Sequence, residues 1–216
     1  MDIHLSISWM QYAQGVIGLF AIVNPFSTIP VFLSLTEGDS AAERRKVAFR
    51  AAASTFVIML AVYLVGGWIL WFFSITVASF RIAGGLLIMS VAFSMLQAKQ
   101  SSTRQTTEEA NEAQDKRTIA IVPLALPLMA GPGTISMLIV VSGGTHTLYD
   151  DTASVIAMLA IALSIWIILG AGSLIAKGLG RTGMNVATRI MGLILAAIAV
   201  EFIVKGLAEK FPGWLT

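Results

Sequence analysis

The sequence predicts an all-α integral membrane protein: six transmembrane segments, arranged as two inverted three-helix repeats whose first and fourth segments are broken. Three observations carry this expectation. Hydrophobic residues fill 56% of the 216 positions and charged residues only 12%, a balance too apolar for a soluble domain of this length. The apolar residues gather into runs long enough to cross about 30 Å of hydrocarbon at about 1.5 Å per residue. Five of the six prolines, Pro25, Pro30, Pro123, Pro127 and Pro132, lie inside two otherwise apolar segments, at corresponding places in the two halves.

The six runs fall near 9–36, 47–73, 76–97, 118–142, 152–176 and 185–208. A proline within a span removes a backbone hydrogen bond, so hydrocarbon tolerates it only where other groups satisfy the freed carbonyls. Asn24-Pro25 therefore breaks the first run, and Ala130-Gly131-Pro132-Gly133 the fourth. Each is either a kinked span or a hairpin that dips in and returns. Between the halves, residues 97–118 are polar, with acids balancing bases. The chain thus divides into a three-span repeat (1–97), a flexible cytoplasmic linker (98–117) and a second three-span repeat (118–216), the linker being a tether or a regulatory segment.

The halves resemble one another. Arg81-Ile82-Ala83-Gly84 recurs 108 residues later as Arg189-Ile190-Met191-Gly192, and Pro25 recurs 107 residues later as Pro132. Three spans per half is an odd number, so the second half enters the membrane from the opposite side. Inverted repeats of this kind permit alternating access, and paired breaks at matching positions point to a site near the bilayer midplane.

Basic residues set the orientation. Arg44, Arg45, Lys46 and Arg50 fall in or beside the first connection, Lys99, Arg104, Lys116 and Arg117 in the third, and Lys177, Arg181 and Arg189 in or beside the fifth. The other side holds only Arg81, Lys205 and Lys210. Both termini are expected outside the cytoplasm. Trp9, Tyr12, Trp68, Trp71, Tyr149 and Trp214 map to that same outer boundary, where amphipathic rings favour the interface.

Several classes are excluded. No cysteine is present, so disulfides, thiolate metal sites and cysteine nucleophiles are out. The formal charge of +2 is small and scattered, which argues against nucleic acid. No cleaved signal is expected, because MDIHLSISW carries no Lys or Arg. His4 and His146 map to outer regions, and no Ser, His and acid grouping or metal-ligand spacing occurs in the spans. The chain reads as no enzyme and as needing no cofactor or metal. Asp150 and Asp151 read as solvated neighbours in an outer connection.

The first candidate site set is Asn24, Pro25, Ser27 and Thr28. A proline break exposes backbone groups, and nearby Asn, Ser and Thr side chains offer donors and acceptors to a small polar solute or else satisfy the kink locally. The second set is Gly131, Pro132, Gly133 and Thr134. Glycines let backbone approach a ligand, and a half-helix starting near Thr134 would aim N–H groups and its positive dipole end at a carboxylate. Unwound carbonyls of the partner break would receive an ammonium group, so the two poles suit a zwitterion. Glu201 is an intramembrane carboxylate that either relays a proton or pairs with Lys205 four residues on. Arg81 and Arg189 either gate the repeat interface or snorkel. The glycines of Val65-Gly66-Gly67, Gly84-Gly85 and Gly170-Ala171-Gly172 read as helix contacts.

With Asn24-Pro25, RIAGG at 81–85, PLALPLMAGPGTI at 123–135, TRIMG at 188–192 and EFIVKG at 201–206 in order, the chain resembles the MarC family of bacterial and archaeal inner-membrane proteins over its whole length. That family includes a small neutral amino acid transporter. The resemblance implies a bacterial inner-membrane protein with six spans, taking up glycine, alanine and other small neutral amino acids by coupling to an ion gradient, of protons or sodium. No nucleotide-binding motif offers another energy source. The alternatives are an exporter or channel for small solutes, including the drug efflux that the family name suggests, or a non-transporting membrane scaffold. The coupling ion and the oligomeric state, a homo-oligomer included, stay open.

Overall fold

The computed structural model describes residues 2–97, 129–144 and 147–213, and among these every regular element is helical. The helices are α1 (Asp2–Val23), α2 (Pro25–Leu35), α3 (Ala41–Phe72), α4 (Val77–Leu96), α5 (Pro132–Ser142), α6 (Leu148–Gly170) and α7 (Gly172–Lys210). Five stretches are long and apolar enough to cross a membrane: Gly15–Leu35, Ala41–Phe72, Val77–Leu96, Leu148–Gly170 and Thr182–Lys210. The expected linker at 98–117, the approach to the fourth segment with Pro123 and Pro127, His146 and Trp214 lie outside the described residues.

Local chemistry explains where the helices start. Ser40 and Glu43 form a reciprocal capping box, so α3 begins at Ala41, six residues before the apolar run. At 32 residues, about 48 Å long, α3 overruns the hydrocarbon, and its charged first turns project beyond it. A second capping box, Thr147 with Asp150, starts α6 at Leu148 rather than 152. The sequence places a loop around 177–184, and there the structure has a kink at Gly180 between two helices, taken together as α7, with the span-length stretch beginning at Thr182. Gly180 has φ 61°, a conformation that glycine adopts without the Cβ clash.

The first broken segment is a kinked span and not a returning hairpin. Tyr12 on α1 donates to Asp150 in the first turn of α6, and its ring packs edge-on against Tyr149 at 5.8 Å. Ile29 and Phe32 on α2 pack against Gly172, just past the opposite end of α6. The α1–α2 pair thus follows α6 from end to end. Asp150 and Asp151 are correspondingly not free solvated acids. Asp151 accepts from Tyr63 on α3 at 2.6 Å, so one turn of α6 ties both α1 and α3.

The α4–α7 crossing is the most extensive helix pairing, and small residues make it close. A Cβ at Gly85 would meet Ile203 Cγ1 at 2.7 Å and the Ala199 carbonyl at 2.9 Å. One at Gly192 would meet the Ala92 carbonyl and the Leu96 amide, each at 3.2 Å. The contact is reciprocal, because a 107-residue shift carries 85, 92 and 96 onto 192, 199 and 203. Elsewhere Gly66 meets Ile139 and Ser142, Gly84 meets Ser136, and Gly172 meets Ile29. The expected glycine contacts are therefore present, except at Gly170, which faces open space.

Inside, Val23, Ile29, Phe32, Met59, Ile88, Met129, Met158, Ile161, Ile165, Leu169 and Leu195 are fully buried. Outside, Leu64, Val65, Trp68, Trp71, Phe72 and Phe73 crowd the last turns of α3, exposed as lipid-facing residues would be.

Candidate functional site

Both breaks lie in the core, and the end of α1 leading into the first packs against the start of the second. A Cβ on Gly133, in the first turn of α5, would sit 3.2 Å from Ile22 Cγ2 at the end of α1 and 3.2 Å from Ile88 Cγ1 on α4. Gly18 on α1 faces Met137 on α5 in the same way, at 3.5 Å. The end of α1, just before the first candidate set, thus packs on the start of α5, which carries the second, while α2 with Pro25, Ser27 and Thr28 packs mainly on α6 and α7. Asn24, Pro25, Thr28, Gly133 and Thr134 are buried, Ser27 and Gly131 half-buried, and Pro132 exposed.

The first break is closed by its own side chains. Asn24 is in the left-handed region at φ 46°, ψ 68°, which Asn tolerates better than most residues. From there its Oδ1 accepts from the Ser27 amide at 3.4 Å, capping α2. Its Nδ2 donates to Ser27 Oγ at 2.8 Å and to Met95 Sδ on α4 at 3.6 Å. Pro25 occupies the start of α2, where a missing N–H costs nothing. Asn24 and Ser27 therefore act first as a helix cap. Thr28 differs: its hydroxyl is buried and has no hydrogen-bond partner among the described residues.

The second break carries no side-chain cap. Gly131 is the N-cap of α5, and Pro132 follows it. The first intrahelical bond runs from the Ile135 amide to the Gly131 carbonyl at 3.0 Å, so the Gly133 and Thr134 amides precede the helical ladder. Thr134 Oγ1 donates back to the Met129 carbonyl at 2.9 Å. The half-helix starts at Pro132, half a turn before the expected Thr134.

Sequence reasoning missed Thr55, Met95 and Met129. Thr55 Oγ1 donates to the Ala51 carbonyl at 2.8 Å and reaches Met129 Sδ at 3.6 Å, binding α3 to the second break. A hydroxyl in the middle of an apolar span was the available signal for Thr55. The methionines had none, because thioethers read as apolar.

The charged candidates stand apart. Glu201 pairs with Lys205 at 3.1 Å, both largely exposed on α7. Arg81 pairs with Glu209 at 2.8 Å, joining the start of α4 to the end of α7. Arg189 is exposed on α7. Among the described residues no three His, Asp or Glu side chains gather as a metal would require. Among the described residues the breaks present a Thr28 hydroxyl with no hydrogen-bond partner and a helix N-terminus with no side-chain cap, groups that can bond a small polar solute.

Helices of this length and hydropathy, packed through glycines around an apolar core, define a multi-pass integral membrane protein. Comparison with known proteins then gives the family. A model of MarC family integral membrane proteins matches residues 9–211, and the chain belongs to that family. It is 42% identical to the UPF0056 membrane protein YhcE of Escherichia coli (strain K12), over 94% of this chain and 95% of that one. It is 39% identical to UPF0056 membrane protein YvbG of Bacillus subtilis (strain 168), over 91% and 93% of the two chains. Identity to the UPF0056 membrane protein PYRAB13050 of Pyrococcus abyssi is 36%, over 93% and 96%. These names say that the relatives are membrane proteins and name no substrate. No solved structure matches the chain.

Proposed function

We propose that this protein is a secondary transporter of small neutral amino acids, working by alternating access between two inverted three-helix halves and driven by a proton or sodium gradient. The observation that carries the reading is the packing of the end of α1 on the start of α5 in the core, Ile22 against Gly133, with the Thr28 hydroxyl unpartnered among the described residues. The substrate carboxylate would lie on the Gly133 and Thr134 amides, aided by the dipole of α5. The reciprocal Gly85 and Gly192 contacts support the inverted halves. Positively charged connections favour a cytoplasmic basic end and periplasmic termini in a bacterial inner membrane.

A second reading has an observation of its own. Ile22 and Ile88 crowd Gly133, each 3.2 Å from where a Cβ would sit, and Asn24 is satisfied by Ser27 and Met95, as in a non-transporting scaffold. In the transporter reading the same packing is an occluded conformation.

Thr28→Val separates the two. It removes one hydroxyl at nearly constant volume. In proteoliposomes with an imposed gradient, wild type should accumulate labelled glycine or alanine, and the variant should show KM raised about tenfold, the effect of one lost hydrogen bond of about 1.4 kcal/mol. Gradient-independent wild-type flux, or identical kinetics in the variant, removes the coupled mechanism or this site respectively.

A further inference from the structure

At the basic end of the bundle, a groove of about 290 Å³ lies between α3 and α6, lined by Arg45, Lys46, Phe49, Arg50 and Trp166. We infer that this groove binds the headgroup of an anionic phospholipid.

Three features define the occupant. The first is charge. Arg45, Lys46 and Arg50 are exposed, and none forms an ion pair with a described residue. Glu43, the nearest acid along α3, accepts from Ser40 in the capping box. Two guanidinium groups and an ammonium are thus left facing one cleft, an arrangement that matches a phosphodiester: arginines grip its oxygens in bidentate fashion, and the lysine adds a point charge.

The second feature is the apolar wall. Phe49 and Trp166 meet edge to face at 6.1 Å. Phe49 is 60% exposed and Trp166 38%, so both keep surface for another molecule. A free phosphate has no use for that wall. A phospholipid does, because its glycerol and upper acyl carbons continue directly from the charged group.

The third is depth. Trp166 sits one turn before the end of α6, and residues 45–50 occupy the second and third turns of α3, the part that overruns the hydrocarbon. That is the headgroup level, where basic pockets between spans recognise anionic lipids.

The test is native mass spectrometry of the full chain in detergent, titrated with phosphatidylglycerol, phosphatidylcholine or inorganic phosphate. Wild type should retain phosphatidylglycerol at least about tenfold more tightly than phosphatidylcholine, and millimolar phosphate should not displace it. The double variant Arg45→Gln/Arg50→Gln should lose that preference, Trp166→Leu should weaken both lipids, and Lys177→Gln, an exposed lysine elsewhere, should change nothing. All altered positions are exposed, and matching melting curves show that the variants fold. Equal retention of the two lipids by wild type, unchanged retention by the double variant, or displacement by phosphate alone would each overturn the inference.

Discussion

The two breaks use the same trick with opposite chemistry. Each starts a short helix with a proline after a non-helical residue, but Asn24 supplies a side chain that caps α2, whereas Gly131 supplies none to α5. The first break is a closed structural joint with one leftover hydroxyl, that of Thr28. The second has its side chain satisfied, through Thr134 and Met129, while its Gly133 and Thr134 amides precede the helical ladder. A matched pair of sequence devices therefore yields two unequal poles. Those amides of α5 would hold an anionic group, and α2 would contribute a neutral hydroxyl.

Substitutions that treat the two breaks alike should expose the inequality. The largest effect is expected for Asn24→Ala, which removes the cap and places a Cβ residue without a local hydrogen bond in the left-handed region. Denaturation in detergent should show a loss of about 2–3 kcal/mol. Equal stability would mean that the cap does not hold the joint. Thr134→Val comes next, because it strands the buried Met129 carbonyl, and should cost about 1–2 kcal/mol. The same change on the other break, Thr28→Val, should run the opposite way and stabilise by about 1 kcal/mol, since it deletes a buried hydroxyl that has no partner among the described residues. A loss on Thr28→Val would show that the hydroxyl is satisfied. The smallest change in stability is expected for Gly131→Asn, which gives the second break the cap of the first. Its φ of −65° admits any residue, so the gain is a few tenths of a kcal/mol. Transport should fall markedly all the same, because the new side chain would compete with the substrate for the α5 amides; unimpaired uptake would place the carboxylate elsewhere.

Much of this was legible in the residues. Pro25 and Pro132 marked the breaks because a missing N–H in an apolar span has few structural solutions. Gly66, Gly84, Gly85 and Gly172 announced close helix contacts, and Lys205 announced its pairing with Glu201. Other parts depended on tertiary geometry. Nothing local dictates that Asn24 takes a left-handed conformation, which lets its side chain cap α2. Nor does spacing reveal that Met95 and Met129 offer sulfur to Asn24 and Thr55. Asp150 is a different case. Its Thr-x-x-Asp capping pattern stood in the sequence, yet its role was hidden by Tyr12, a partner 138 residues away.

Those neighbouring carboxylates also fix how α6 can move. Successive residues of a helix project about 100° apart, so Asp150 and Asp151 face different partners from a single turn, one held by Tyr12 and the other by Tyr63. A helix pinned on two sides at one end behaves as a lever with its fulcrum there. At the far end Gly172 packs on Ile29 and Phe32, so a tilt of α6 about this fulcrum would carry α2 with it. Sliding α6 along its axis would break both ties together, while tilting it would keep both.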